Sequence, residues 1–113
     1  MRTPEQAVQL QLDAYNAKNL ELFLSAYSDD IQITRLPQTT PSITGKAALG
    51  QHYGQNRFNL PDLHAKLLHR MVIGNKVIDH EWITGLSKQP MQLAAAYEVK
   101  DGLICQAWFL SAE

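Results

Sequence analysis

The chain has 113 residues, 45% of them hydrophobic and 19% charged, with a formal net charge of −1. That length is one domain with a single core, residues 1–113. The near-neutral charge, with no basic stripe, argues against nucleic acid as a partner. No apolar run is long enough to cross a bilayer.

Thr3-Pro4-Glu5-Gln6 reads as a helix start, with a Thr cap, Pro in the first turn and Gln three residues after the cap. Val8, Gln11, Leu12 and Tyr15 then share one helical face. Asn19 caps a second, short helix through Leu22, Phe23 and Tyr27. Ile31 to Arg35 alternates as a strand, with Ile31, Ile33 and Arg35 on one side. Leu36 to Thr44, with two prolines, is a loop. A third helix runs from Lys46 to about Asn56, with Tyr53 among its buried residues.

Asp62 to Gly85 is a long hairpin turning at Gly74-Asn75, whose Gly-first loop suits a type II′ turn. The implied register sets Met71 opposite Ile78, Arg70 opposite Asp79, His69 opposite His80 and Leu67 opposite Trp82. One face then carries Leu67, His69, Met71, Ile78, His80 and Trp82. The other carries Arg70, Val72, Val77, Asp79, Glu81 and Ile83. The first face is read as a cavity wall and the second as a contact surface. Met91 to Val99 alternates as a further strand, Lys100-Asp101-Gly102 is a turn, and Leu103 to about Leu110 is the last strand. Three helices against an antiparallel meander make an α+β fold.

The segments PEQAVQLQLDAYNAKNLELFLSAYSDDIQI, TGKAALGQHY, GNKVIDHEWITG and AYEVKDGLICQAWFL resemble the SnoaL-like branch of the nuclear-transport-factor-2-like superfamily, across Pro4 to Leu110. The resemblance implies a cone-shaped half-barrel: three N-terminal helices on a curved mixed or antiparallel sheet, with an interior pocket. It also implies a homodimer formed through the outer sheet face. It leaves the activity open, because this fold hosts enzymes, binding modules and adaptors. Ketosteroid isomerase, a relative, uses a Tyr, an Asp base and a protonated Asp. Those positions fall at Gln11, Arg35 and Ala95. The Asp-Arg-Asp set of limonene-epoxide-hydrolase-like enzymes falls at Trp82, Thr84 and Phe109. None is the required residue type, so neither mechanism carries over.

The expected pocket combines Gln11, Tyr15, Ile33, Arg35, Tyr53, Leu67, Trp82, Leu93, Tyr97 and Phe109, with Cys105 and Ala107 on the same inner face. The expected reading is a protein that binds a small hydrophobic ligand, with an acidic one favoured if Arg35 meets it. The alternative is an isomerase- or cyclase-type enzyme using His80 or His69 as acid and base. A third reading is a purely structural dimerisation module. The histidine pair also reads as hydrogen-bonded core or rim. No metal or cofactor is expected, since no HxH, HExxH or CxxC spacing occurs. Arg70, Asp79, Glu81 and Trp108 are assigned to the dimer interface. Lone Cys105 and a start without an apolar signal core suggest the cytoplasm.

Overall fold

A computed structural model describes residues 1–112. The elements are α1 (Pro4–Ala17), α2 (Leu20–Leu24), β1 (Tyr27–Arg35), β2 (Ile43–Thr44), α3 (Lys46–Asn56), β3 (His64–Ile73), β4 (Lys76–Thr84), β5 (Met91–Lys100) and β6 (Leu103–Ser111). Thr3 caps α1 in a full capping box with Gln6, and the Asn19 side chain caps α2.

Six strands form one sheet in the order β2-β1-β6-β5-β4-β3. β1 runs parallel to β6, and the other pairings are antiparallel. The three helices pack on one face, giving the α+β half-barrel. α1 lies across the sheet and buries Ala7, Val8, Gln11, Leu12, Ala14 and Tyr15. Phe23 joins the helices to the sheet: its ring centroid lies 4.8 Å from Tyr53, 5.0 Å from Tyr27 and 5.2 Å from Phe58. Pairs at these separations add stabilisation beyond area burial.

Two local features depart from the expected parity. A bulge between Leu67 and His69 shifts the hairpin, so Leu67 pairs with Glu81 and Lys66 with Trp82. His69–His80, Arg70–Asp79 and Met71–Ile78 pair as expected. A second irregularity lies opposite Glu98 and Val99, where Glu98 pairs with Gln106 and Val99 with Ile104. Cys105 is therefore turned away from the inner face, and its thiol sits 3.4 Å from a Glu98 carboxylate oxygen. The end of the expected Leu36–Thr44 loop forms β2, which closes onto β1.

The hairpin faces are the reverse of the expectation. On β4 the buried positions are Val77, Asp79, Glu81 and Ile83, while Trp82 is 38% exposed. The physical reason lies in Arg70. It meets Asp79 through Nε to Oδ1 at 2.7 Å and Nη2 to Oδ2 at 2.9 Å, and Nη1 donates to Gln9 of α1 at 2.8 Å. A carboxylate supplied with a bidentate cation can be buried.

Candidate functional site

Between α1, α3 and the concave face of the sheet lies a cavity of about 60 Å³, room for a few water molecules. Gln11, Leu12 and Tyr15 line it from α1, and Tyr53 and Arg57 from α3 and its C-cap. Arg35 enters from the end of β1, Ala65 from β3, and Glu81 and Ile83 from β4. Leu86 follows β4, and Met91, Leu93, Tyr97 and Phe109 complete the wall from β5 and β6. Strand alternation delivers these residues: Leu93, Tyr97 and Phe109 occupy inward positions of neighbouring, paired strands.

Of the residues expected in the pocket, Gln11, Tyr15, Arg35, Tyr53, Leu93, Tyr97 and Phe109 meet around this cavity. Ile33 is fully buried in the core beside it, and Leu67 packs partly buried against the same core. Trp82 is a correction, since it stands on the outer face. His69 and His80 are corrected in the same way. They stack with centroids 5.8 Å apart on the outer face, where His80 Nε2 lies 2.7 Å from Gln92 Oε1. They line none of the cavity, so they have no path to a ligand there.

The expected interface set is corrected too. Asp79 is fully buried, Glu81 is 5% exposed, and the Arg70 side chain is 10% exposed beneath α1. Glu81 belongs to the cavity wall. Trp108 does lie on the outer side, paired with Ala96 and, across β1, with Thr34.

The cavity is electrically divided. Arg35 sets its guanidinium carbon 5.5 Å from the centre of the Phe109 ring. Among the described residues neither Arg35 nor Arg57 makes an ion pair. Burial, then the nearby Arg57 and Arg35, holds His52 below its ordinary value of 6.5. Glu81 stands apart from this cationic group. Burial, and secondarily the charge of Asp79, pushes its carboxyl up to about 7, with Arg70 opposing. Its side chain accepts no hydrogen bond from the described residues.

Phenols fill the space between. Burial holds Tyr15, Tyr27, Tyr53 and Tyr97 above their ordinary 10, so all four are protonated at neutral pH. Tyr27 donates to Gln11 Oε1 at 3.3 Å, and Gln11 Nε2 donates to the Tyr97 hydroxyl at 3.4 Å. Both ends of the cavity act electrostatically on Tyr15 and Tyr53, from Arg57 on one side and Glu81 on the other. Among the described residues no three His, Cys, Asp or Glu side chains converge as a metal centre requires. No helix is long and apolar enough to cross a membrane.

Sequence reasoning missed Arg57 and placed Glu81 on the wrong face. Arg57 follows the last turn of α3 and carries no periodic signal. For Glu81 a signal existed: Val77 and Ile83 bracket Asp79 and Glu81 on one strand face, and Arg70 opposite Asp79 permits that face to be buried.

A model of the SnoaL-like domain family matches residues 8–107. No curated protein matches the sequence. Among solved structures, an uncharacterized cystatin-fold protein from Novosphingobium aromaticivorans is 18% identical, with a TM-score of 0.84 over 96% of this chain and 98% of that one. An NTF-2-like protein of unknown function from Burkholderia xenovorans is 14% identical, with a TM-score of 0.83 over 97% of this chain and 83% of that one. A SnoaL-like protein of unknown function from Burkholderia thailandensis is 19% identical, with a TM-score of 0.81 over 97% and 94%. At these identities the likeness is one of fold.

Proposed function

The chain belongs to the SnoaL-like domain family, and on that premise we propose that it binds a compact organic acid with an apolar body in its interior cavity. One observation carries the reading: Arg35 and Arg57 line a largely apolar cavity without a carboxylate partner among the described residues. A guanidinium stays charged at any relevant pH and is costly to bury unpaired. A ligand carboxylate satisfies it through two parallel hydrogen bonds. Leu93, Ile83 and Phe109 then cover the apolar part of the ligand. The small cavity favours ligands of few heavy atoms, and larger ones require Leu86 and Met91 at the rim to move.

The test is calorimetry with a panel of short carboxylic acids, such as butyrate, 4-methylpentanoate and benzoate. At least one should bind, and Arg35→Met should bind it roughly 10- to 100-fold more weakly, the range for a charge-assisted hydrogen-bonded contact. Equal binding by Arg35→Met, with fold retained, overturns the reading.

The same proposal includes a homodimer through the outer sheet face, which keeps Trp108 from the expected set and replaces Arg70, Asp79 and Glu81. Met71, Ile78, Ala96 and Trp108 form one row across β3 to β6, and His69, His80, Ala94 and Leu110 form the next. Met71 is 52% and Leu110 51% exposed, a broad apolar surface suited to a second copy. The unpaired Cys105 thiol suits a reducing compartment, so the reading places the protein in the cytoplasm.

A further inference from the structure

The sheet ends on β3, and only half of that edge is closed. At the opposite edge β2 has two residues, and so short a strand offers little to pair with. β3 has ten residues, and its first half is covered. The Asn16 side chain of α1 donates from Nδ2 to the Ala65 carbonyl at 2.9 Å and accepts from the Ala65 N–H at 2.8 Å. One amide thus takes the place of a neighbouring strand. Lys18 Nζ donates to the Leu63 carbonyl at 3.2 Å, just before β3 begins. Beyond the bulge between Leu67 and His69 no such cover exists among the described residues.

Ladder parity identifies the open groups. Ala65 faces Ile83 and turns both backbone groups outwards, onto Asn16. Arg70 and Val72 face Asp79 and Val77, an even number of residues back along β4, so their N–H and C=O groups turn outwards too. Neither residue has an outer backbone partner among the described residues. The side chains are equally bare. Of the nine large hydrophobic residues exposed among the described residues, four lie on β3: Leu68, Met71, Val72 and Ile73. Val72 is 48% and Ile73 55% exposed. Edges are usually blunted by charge, proline or a covering element. Residues 69–73 hold no proline, and their one arginine is turned under α1 onto Asp79 and Gln9.

We infer that this half of β3 is a self-pairing edge, whose partner is β3 of a second copy, antiparallel and with Met71 opposite Met71. In that register the Arg70 backbone bonds with the partner's Val72, and the Val72 backbone with the partner's Arg70. Both open residues of each copy are then satisfied. Sliding the strands by two residues in one direction sets Arg70 against the partner's Arg70, and like charges directly opposite are destabilising. Sliding the other way runs Arg70 onto the partner's Gly74, at the turn.

The side chains fit the same register. His69 meets the partner's Ile73 on the outer face. On the inner face Val72 covers the aliphatic stem of the partner's Arg70. The residues that need apolar neighbours also supply them, which favours a second copy over a foreign strand. The contact is two-fold and closed, bounded by the bulge at one end and the Gly74 turn at the other. So short an edge falls below the roughly 1,200 Å² of a stable interface, so the pairing is weak and concentration-dependent. It joins the sheets rim to rim and does not rest on the outer-face dimer proposed above.

The test places a cysteine at Met71 in a protein carrying Cys105→Ser and Trp108→Glu, which remove the native thiol and the outer-face contact. Non-hydrogen-bonded pairs on antiparallel strands lie about 4.5 Å apart at Cα, within disulfide reach. Diamide oxidation is followed at a protein concentration of about 1 mM, where weak association is populated. Met71→Cys should form the linked dimer at least ~10-fold faster than Lys66→Cys, an exposed position before the bulge, because pairing raises the effective thiol concentration. Val72→Pro removes only an outward N–H and should bring Met71→Cys down to the control rate with the circular dichroism unchanged. Val72→Lys sets a second cation against the partner's Arg70 and should do the same. Equal rates for the two cysteines overturn the inference, as does linkage that persists in both Val72 variants. Linkage seen with Trp108 intact and lost in Trp108→Glu places the cysteines across the outer face and also overturns it. Amide exchange gives the last outcome: an added peptide of alternating Thr and Val that protects the Arg70 and Val72 amides, without self-linkage, makes the occupant a foreign strand and overturns self-pairing.

Discussion

Arg70 grips both carboxylate oxygens of Asp79 beneath α1, at 2.7 and 2.9 Å, and so leaves Glu81, two residues along the same strand face, without a close counter-charge. One cation thereby fixes two fates. Asp79 becomes a structural anion tied through Arg70 to Gln9, and Glu81 becomes a carboxyl of raised proton affinity facing a cavity.

Replacing Arg70 with Met should strand Asp79 as an unpaired buried charge. Urea unfolding should then show a loss of about 3–5 kcal/mol, the usual range for breaking a buried pair. A loss within experimental error would mean that Asp79 finds another partner or water.

Glu81 makes stability depend on pH. Its carboxyl rises from an ordinary 4.5 to about 7 on folding. The folded state therefore holds the proton more tightly than the unfolded chain. This contribution favours the folded state fully below pH 4.5 and is lost as pH rises through about 7. The gap amounts to roughly 3 kcal/mol. Between pH 5 and pH 8 the wild type should lose up to about that much stability relative to Glu81→Gln. Parallel stability curves for the two proteins would show that Glu81 titrates normally.

The turn after β4 offers a check on the backbone. Gly85 has φ +78°, and a Cβ there would lie 2.1 Å from the Asp62 carbonyl oxygen. Gly85→Ala must therefore both strain the turn and push the two segments apart. At Gly85 a loss beyond the roughly 1–2 kcal/mol of left-handed strain is expected, against about that strain alone at Gly74 (φ +58°), whose Cβ would meet nothing within 4 Å. Equal effects at the two glycines in thermal unfolding would contradict the close approach.

Much of the fold was legible because its signals are local. The Thr3–Gln6 capping box, the Asn19 cap, the Gly74 turn and the clean alternation of Leu93, Ala95, Tyr97 and Val99 each rest on a few adjacent residues. The parallel β1–β6 pairing joins segments some 75 residues apart, as Gln32 to Gln106, and nothing local encodes it. The hairpin faces were misread for two physical reasons. The bulge at Leu68 adds one residue to β3 and breaks the alternation. The charges of Asp79 and Glu81 suggested an outward face, while Arg70 and the cavity make an inward one possible. The cavity positions on α1, β1, β5 and β6 lie outside the irregularities near Cys105 and between Tyr27 and Gln32, so local alternation sufficed to read them, though not to place Cys105.

The outer face should be tested through Trp108. Trp108→Glu should weaken self-association by more than ~30-fold if the tryptophan anchors a dimer, since hot-spot residues of this type contribute about 2 kcal/mol or more. Sedimentation equilibrium measures this directly. A wild type that stays monomeric at high concentration would remove the dimer from the proposal.

The central claim is that the ligand site lies between α1 and the concave sheet face, with Arg35 as its anchor. NMR cross-relaxation between a bound carboxylic acid and the protein tests it most directly. Contacts from the ligand's apolar protons to Ile83, Leu93, Tyr97 and Phe109, lost in Arg35→Met, are the predicted result. Contacts to Trp82 and His80 instead would place the site on the outer face and contradict the account.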